Sequence, residues 1–397
     1  MTIFPYICIQ YAPAGFGLIL CNMNIQQVDL KGQYNRIKDE IDASVKEVID
    51  TASFINGPKV KEFARNMESY TGAKHVIPCG NGTDALQMAF MALGLKPNDE
   101  VILPAFSYAA GIEAACLLGL TPVLADVDYN SFNLTLSEIK QCLTAQTKAI
   151  MVVHLFGQCC DMEPILSFAE KHSLYVVEDN AQAIGSYYTF SDGKRKQAGT
   201  MGHIGCTSFF PTKNLGCFGD GGALMTNDAD LAERIAMIAN HGQKVKYEHT
   251  LIGCNSRLDS IQAAILDVKL KYLNEYTQKR HKAAQYYSKR LKNKKGVIVP
   301  EEPAFSSHVY NQYTLKIPGG KRDALKQFLA EAGIPTTIYY PAPLHKQKAF
   351  VGIARKVNAL TTAEELSSSV LSLPCHTEIT IDQQDFITGK IKEFFFL

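Results

Sequence analysis

The sequence predicts an α/β fold, in which a mostly parallel β-sheet carries helices on both faces and a small α+β domain follows at the C-terminus. Short apolar runs alternate with amphipathic helical segments from residue 75 to residue 226. Strands buried on both faces have such continuous apolar sequences, and consecutive parallel strands need a crossover, usually a helix. After Pro300 the order becomes strand, helix, strand, which indicates a separate small domain.

Within the large domain, apolar residues at helical spacing predict two amphipathic helices before the first strand, and most later strands lead into another helix. The predicted strands span residues 75–79, 101–103, 122–125, 149–153, 174–177, 204–209 and 223–226. The predicted helices span residues 37–49, 60–70, 84–93, 108–118, 136–144, 162–172, 231–240 and 259–292. In the small domain we expect strands at 312–317 and 336–340 and a helix at 323–332.

We expect three segments: an upstream extension (1–22), a large domain with an N-terminal helical part (23–293), and a small domain (294–397). The extension is apolar but has no Lys or Arg and is interrupted by two prolines and two glycines. A signal peptide has a basic start, and a membrane helix needs about 20 uninterrupted apolar residues. We therefore expect translation to start at Met23, little packing of the extension, and a cytoplasmic protein.

Composition excludes some functions. With 397 residues, 46% hydrophobic and 20% charged, and a net charge of +1, the chain suits a soluble globular protein without a broad basic surface for nucleic acid. The 11 cysteines are odd in number and contain no Cys-x-x-Cys pattern. We interpret them as small buried residues in a reducing compartment, with no metal expected.

The segment around Lys213 is the first candidate for chemistry. Apolar residues surround this lysine in sequence, and burial disfavours the charged form of an amine. A neutral amine forms a Schiff base with a carbonyl or with pyridoxal phosphate (PLP), and Ser208 can offer a hydroxyl to a phosphate. The alternative is a surface lysine in a glycine-rich turn.

Two further motifs follow predicted strands. Gly80-Asn-Gly-Thr-Asp84 stands between a strand and a helix, where backbone N–H groups and the helix dipole favour a phosphate. Asp179 ends the strand before Gln182, at the edge where parallel sheets bind ligands, and could protonate a pyridine nitrogen. Tyr108 could stack on a planar ring. The alternatives are an ordinary strand–helix turn, a helix-capping Asp and a core tyrosine.

Together these motifs resemble those of the DegT/StrS family of nucleotide-sugar aminotransferases, which are fold-type I PLP enzymes. The resemblance extends from Met23 almost to the C-terminus. It is carried by Gly80–Leu86, Glu178–Gln182, Ser208–Lys213, Gly219–Gly222, Asn255–Asp259 and Tyr340–His345. It implies a seven-stranded, mostly parallel sheet and PLP as the cofactor.

The resemblance also implies individual roles. Lys213 would bind PLP as an imine, Asp179 would contact the pyridine nitrogen, and Gln182 the phenolic oxygen. The other implied cofactor contacts are Tyr108 on the ring face, Thr83, Asp84 and Ser208 on the phosphate, and Asn255 donated by a second subunit. A homodimer with shared active sites follows from the role of Asn255.

The implied substrates are glutamate and a nucleotide-linked keto sugar, with UDP-2-acetamido-2-deoxy-3-oxo-glucuronate or a close relative as the first expectation. Arg257 would bind this substrate, because a guanidinium forms two parallel hydrogen bonds with a carboxylate or diphosphate. The alternative for Arg257 is an ion pair with Asp259 or another acid. Candidate substrate contacts also include Phe54, Thr212, Tyr339 and Tyr340. Family members that act on this sugar differ at three of these four positions and at Ala52: they carry Tyr for Phe54, Ser for Thr212, His for Tyr339 and Gly for Ala52.

Three other functions remain as alternatives. A dTDP- or UDP-4-keto-6-deoxy sugar could be the substrate, since Phe54 and Tyr339 depart from the pattern. A sugar dehydratase of the same family is a second alternative, but such an enzyme would carry His in place of Lys213. A non-catalytic PLP-binding regulator is the third, and the complete set of cofactor residues argues against it because a regulator would not need all of them. An NAD-binding protein is excluded by the missing Gly-x-Gly-x-x-Gly motif.

Overall fold

The computed structural model describes residues 24–396. The helices are α1 (Leu30–Arg36), α2 (Lys38–Thr51), α3 (Pro58–Thr71), α4 (Gly82–Ala92), α5 (Ala110–Leu117), α6 (Leu136–Cys142), α7 (Met162–Lys171), α8 (Ala229–Ala239), α9 (Ser260–Leu270), α10 (Leu273–Leu291), α11 (Arg322–Glu331), α12 (Thr361–Ser369) and α13 (Ile381–Phe395). The strands are β1 (His75–Cys79), β2 (Glu100–Pro104), β3 (Thr121–Ala125), β4 (Thr147–Val153), β5 (Tyr175–Asp179), β6 (Tyr187–Thr189), β7 (Arg195–Gln197), β8 (Ile204–Ser208), β9 (Gly222–Thr226), β10 (Gln243–Val245), β11 (Glu248–His249), β12 (Tyr313–Lys316), β13 (Arg355–Lys356) and β14 (Val370–Leu373).

The main sheet has the strand order β1-β9-β8-β5-β4-β2-β3-β13. Strand β9 runs antiparallel to both β1 and β8, and all other neighbours are parallel. The carboxyl ends of β1, β2, β5 and β8 therefore meet at one edge of the sheet. In open α/β sheets this edge is where ligands bind.

Alternate residues of the central strands enter two separate cores. Val101 and Leu103 of β2 pack in one core with α4, while Ile102 between them packs in the other core with Ile165 of α7. All are buried. Side chains alternate across a strand, so an apolar run without interruption is what a sheet covered on both faces requires. The predicted fold class is confirmed.

The structure corrects three details. The helix expected at 259–292 is two helices, α9 and α10, separated at residues 271–272. No strand forms at 336–340, where Thr337 makes only an isolated bridge to Ser372. Instead β12 pairs with β14. The sheet also gains an eighth strand, the two-residue β13, beside the seven expected.

The C-terminal part has a core of its own. It combines Tyr313 of β12 and Ile387 of α13 with Tyr287 and Leu291 of α10, and it includes Ile25. The division of the chain at residue 293 stays a prediction, and residues 1–22 lie outside the described part. Within residues 24–396, no helix combines the length and the apolar character needed to cross a membrane.

Candidate active site

Four of the predicted site segments meet at the carboxyl edge of the sheet. Asp179 and Ser208 are the last residues of β5 and β8, Gly80 follows β1, and Tyr108 lies four residues after β2. The loop from Phe209 to Gly221 joins β8 to the antiparallel β9 and carries Lys213. Strand direction and order, rather than sequence proximity, place these residues together.

The Lys213 loop is closed by backbone hydrogen bonds. Phe209 donates its N–H to Gly221 O (2.7 Å), and Cys217 donates to Phe209 O (2.8 Å). The N–H of Lys213 donates to Phe210 O (2.8 Å). The residue as a whole is half-buried, but its amine lies deep enough that burial lowers its pKa from the ordinary value near 10.5, against the opposing effect of Asp179.

Asp179 is the acid that faces this amine. Its side chain is only 8% exposed, and Oδ1 accepts the N–H of Ala181 at 3.0 Å. Burial raises the pKa of this carboxyl, while the Ala181 N–H, Lys213 and His154 act in the opposite direction. Because Asp179 and Lys213 each shift the pKa of the other, the two groups form one electrostatic unit.

A buried hydrogen-bond network around Glu178 holds the end of β5, where Asp179 lies, and the sequence did not reveal this network. The preceding residue, Glu178, is fully buried and accepts hydrogen bonds from three backbone N–H groups of residues 199–202 and from His154 Nε2 at 2.8 Å. Burial opposes ionisation, but these donors prevail and lower the pKa of Glu178. His154 Nδ1 accepts the Cys160 N–H, so its proton lies on Nε2. A buried, charged Glu178 thereby fixes the end of β5.

Gln182 has a defined amide orientation. Its Oε1 accepts the N–H of Phe156 at 2.7 Å, and its Nε2 donates to the Tyr340 hydroxyl at 3.1 Å. Burial raises the pKa of Tyr340, with Asp179 contributing, so the phenol stays protonated near the acid. The ring of Tyr108 is 62% exposed, and its centroid lies 6.2 Å from that of Tyr340.

The start of α4 forms a cradle for an anion. Asn81 caps the helix, because its Oδ1 accepts the Asp84 N–H (2.8 Å) and its backbone oxygen accepts the Ala85 N–H (3.1 Å). The earlier N–H groups, of Gly82 and Thr83, have no intrahelical acceptor. A Cβ added to Gly82 would lie 2.7 Å from Ser208 Cβ, so only a glycine lets the Ser208 hydroxyl approach this turn.

Ser256 is a residue that sequence reasoning missed. Its hydroxyl donates to Asp84 Oδ2 (2.6 Å) and accepts the N–H of Gly80 (3.0 Å). The side chain is buried. The hydroxyl therefore holds Gly80 and Asp84 together at the start of α4. In the sequence, Ser256 could have been found by its position between Asn255 and Arg257, two residues that the motif already marked. The carboxylate and the N–H of Asp84 both have protein partners.

The remaining predicted residues are exposed or half-buried. Asn255 is exposed and its backbone bridges to Asn240, and Arg257 donates to Asn240 Oδ1 at 3.4 Å. Within residues 24–396, Arg257 has no ion pair with Asp259. Phe54 and Thr212 are also exposed. Tyr339 is half-buried, with its ring 5.9 Å from that of Tyr340.

A buried amine opposite a buried acid, beside a helix N-terminus with free amides, is suited to a cofactor that carries an aldehyde, a pyridine ring and a phosphate. On a mostly parallel sheet covered by helices, this set defines the fold-type I PLP-dependent transferases. Comparison with known families gives a match to the DegT/DnrJ/EryC1/StrS aminotransferase family over residues 35–392. The chain belongs to this family of aminotransferases.

Two curated relatives are similar over nearly their whole length. The "Pleiotropic regulatory protein" of Geobacillus stearothermophilus is 44% identical over 94% of this chain and 99% of the relative. The "UDP-2-acetamido-2-deoxy-3-oxo-D-glucuronate aminotransferase" of Pseudomonas aeruginosa is 43% identical over 89% of this chain and 95% of the relative.

Two solved structures match the fold closely. An aminotransferase of the family from Brucella abortus superposes with a TM-score of 0.89 at 39% identity, over 93% of this chain and 99% of the other. A Bacillus subtilis protein solved with the bound cofactor PMP has a TM-score of 0.85 at 29% identity, over 94% of this chain and 86% of the other.

Proposed function

We propose that the protein transfers an amino group from L-glutamate to the keto group of a nucleotide-linked sugar, UDP-2-acetamido-2-deoxy-3-oxo-glucuronate or a close relative, for the synthesis of a surface polysaccharide. Membership of the aminotransferase family supports the reaction class. The single structural observation that carries the proposal is the electrostatic pairing of the Lys213 amine, on the loop after β8, with the buried Asp179 at the end of the neighbouring strand β5, because transamination on PLP needs these two groups.

The residues fit PLP on three counts. The amine of Lys213 is desolvated, which increases its neutral, nucleophilic fraction. The N–H groups of Gly82 and Thr83 are free of intrahelical partners and lie beside Ser208, where a phosphate can accept from them. Tyr108 presents an exposed ring to the same edge. When bound, PLP supplies the aldehyde that accepts the amino group and the ring that delocalises an electron pair.

The protein's own residues would divide the chemistry. Lys213 would hold the cofactor and, once released by the amino donor, carry a proton from the donor's α-carbon as general acid and base. Asp179 would keep the pyridine nitrogen protonated. Gln182 would face the cofactor with its amide N–H, since its oxygen is occupied by the Phe156 N–H. Thr83 and Ser208 remain the proposed phosphate contacts. Asp84 was expected beside them, but its N–H donates to Asn81 Oδ1 and its carboxylate accepts from Ser256.

The proposed substrate rests on the Pseudomonas aeruginosa relative. Its name specifies a 3-oxo sugar acid linked to UDP, and at 43% identity it covers almost the whole chain. Arg257 would bind the sugar carboxylate or the diphosphate, since its long hydrogen bond to Asn240 Oδ1 (3.4 Å) leaves most of the guanidinium available. Phe54, Thr212, Tyr339 and Tyr340 are the other proposed substrate contacts. A 4-keto-6-deoxy sugar remains the alternative substrate.

We also propose a homodimer with shared active sites. Asn255 is exposed, and Arg257 is only half-buried. Apolar side chains beside the same segments are also exposed, including Phe54, Phe218 and Ile252. Exposed apolar patches mark protein–protein contacts. A second copy would cover these side chains and receive Asn255 and Arg257 in its own site.

A regulatory function has one observation in its favour, the name of the Geobacillus stearothermophilus relative. A regulator that binds PLP without turnover would need a lysine for the cofactor. It would not need the buried carboxyl of Asp179, which costs free energy to retain in the folded protein. The complete constellation therefore favours catalysis.

Lys213→Ala tests the proposal, with the exposed Lys148→Ala as control. We expect the Lys213 variant to lose the visible absorbance of lysine-bound PLP and all turnover, while the control keeps both. Added glutamate should bleach the wild-type band, and the glutamate-treated enzyme should aminate the UDP-linked 3-oxo acid faster than UDP- or dTDP-4-keto-6-deoxy sugars. A coloured, active Lys213 variant would reject the site, and no bleaching by glutamate would favour the regulator.

A further inference from the structure

A second buried lysine lies next to the Lys213 loop. Lys269 of α9 is 2% exposed, and burial lowers its pKa to about 8, with Cys217 acting in the opposite direction and Arg280 in the same direction. Within residues 24–396 it forms no ion pair. A buried charge without a counter-ion costs free energy, so its retention needs a reason.

The contact of Lys269 suggests that reason. Its Nζ donates to the backbone oxygen of Gly216 at 2.5 Å and lies 5.7 Å from the ring centroid of Phe218. Gly216 follows Lys213 by three residues. A Cβ on Gly216 would lie 2.4 Å from Pro211 O, so the chain on either side of Lys213 is in direct backbone contact. A displacement of Gly216 would therefore move the turn that carries Lys213.

The same face of α9 holds the loop at a second place. Gln262 lies seven residues before Lys269, which is two helical turns. Its Oε1 accepts the Phe218 N–H (2.8 Å) and its Nε2 donates to Phe218 O (3.2 Å). Helix α9 is thus hydrogen-bonded to the loop at Gly216 and at Phe218. The bond from Lys269 has a charged donor, and a charged donor makes a hydrogen bond stronger than the neutral ones from Gln262.

We propose that Lys269 is a positioning residue for Lys213: its buried ammonium fixes the Gly216 carbonyl, and through it the orientation of the amine that binds the cofactor. The proposal rests on the function proposed for Lys213. Lys269 itself touches neither cofactor nor substrate in this scheme. Its contribution is to restrict the loop to one arrangement before the cofactor arrives.

The chain offers a matched control in Lys316. This lysine is 1% exposed, donates to Tyr129 O at 2.9 Å, and lies 4.4 Å from the Tyr129 ring centroid. Burial lowers its pKa too. It therefore resembles Lys269 in its burial, in donating to a backbone oxygen and in lying against an aromatic ring, but its partners belong to a different part of the fold.

The test compares Lys269→Met with Lys316→Met, since Met keeps an unbranched apolar side chain of similar length. Hydrogen exchange of the 209–221 amides is measured in the cofactor-free protein. A charge-assisted hydrogen bond accounts for roughly 10- to 150-fold in such an equilibrium, so we expect loop exchange to accelerate by that order in K269M. The pH at which the bound-cofactor band changes colour should shift, and kcat should fall with little change in KM. K316M should alter only the melting temperature.

Lys269→Arg is the rescue variant. It keeps the charge and the donor, so it should restore slow exchange and the wild-type colour transition. If K269M does not fold, Lys269→Gln replaces it with the same expected results. Wild-type loop exchange together with an unchanged colour transition would overturn the proposal and leave Lys269 as a stability residue. The exchange experiment needs no cofactor, so its outcome is independent of whether Lys213→Ala disproves the proposed function.

Discussion

The approach of Ser208 to the first turn of α4 can be tested by adding one methyl group. In Gly82→Ala, the new Cβ would lie 2.7 Å from Ser208 Cβ and 3.3 Å from both Cα and Oγ of the same residue, whereas ordinary contacts begin at 3.4 Å. Ser208 ends β8, so the obstacle is attached to the sheet and cannot rotate away. Overpacking of this kind costs about 1–3 kcal/mol.

We expect this strain to appear mainly as weaker binding of PLP. Separation of Ser208 from the helix terminus removes one hydrogen bond to a charged phosphate, which contributes about 1.5–3 kcal/mol, or roughly 10- to 150-fold in Kd. The assay is a titration of cofactor-free protein with PLP, followed by absorbance, with urea unfolding of the same samples.

Gly389→Ala is the matched control. Gly389 lies inside α13, and nothing is within 4 Å of its added Cβ. Alanine in a helix interior is favoured over glycine by about 1 kcal/mol, so this variant should be slightly more stable and bind PLP normally. If Gly82→Ala folds and binds PLP with the Kd of Gly389→Ala, the close approach is not part of a phosphate site and the reasoning fails.

Two further predictions concern neighbouring groups. Ser256→Ala removes the hydroxyl that joins Gly80 to Asp84 and leaves these half-buried partners without it, one of them a charged carboxylate, so unfolding should be easier by about 1–3 kcal/mol and PLP binding weaker; unchanged values in urea and PLP titrations would contradict it. His308 accepts the Tyr310 N–H, and burial, with a smaller effect of His281, lowers its pKa from 6.5 to about 3. The unfolded chain therefore takes up the proton first, and this stability is complete above pH 6.5 and lost as the pH falls towards 3. His308→Asn should flatten that acid loss in urea titrations at several pH values, whereas a parallel loss in variant and wild type would refute the assignment.

The sequence located the sheet and its edge because burial on both faces leaves a local pattern. Continuous apolar runs marked β1, β2, β4 and β5 to within two residues of their observed limits. Asp179 could be placed at the end of its strand because the apolar run stops there. The residue types that suit PLP then stood at the ends of several strands, which is a pattern that sequence alone can display.

The positions of helix breaks and the pairing of strands could not be predicted from the sequence. Residues 259–292 keep a helical pattern with neither Gly nor Pro, yet α9 ends at Leu270 and α10 begins at Leu273. Residues 336–340 are β-branched and aromatic, a composition that favours strands. A strand also needs backbone pairing along its length, and this segment pairs with the second edge of β14 only at Thr337, which exchanges two hydrogen bonds with Ser372. How far a segment follows its neighbour is decided by tertiary contacts.

The fold class, the family and the order of the cofactor residues along the chain could be predicted without a structure, because they depend on residue type and local period. The side chains that support the cofactor residues became visible in the folded protein. Ser256 behind the cradle, Glu178 with His154 beneath Asp179, and Lys269 under the Lys213 loop are separated in sequence from the groups they hold. Their contacts come from strand order and helix packing, which no local pattern records.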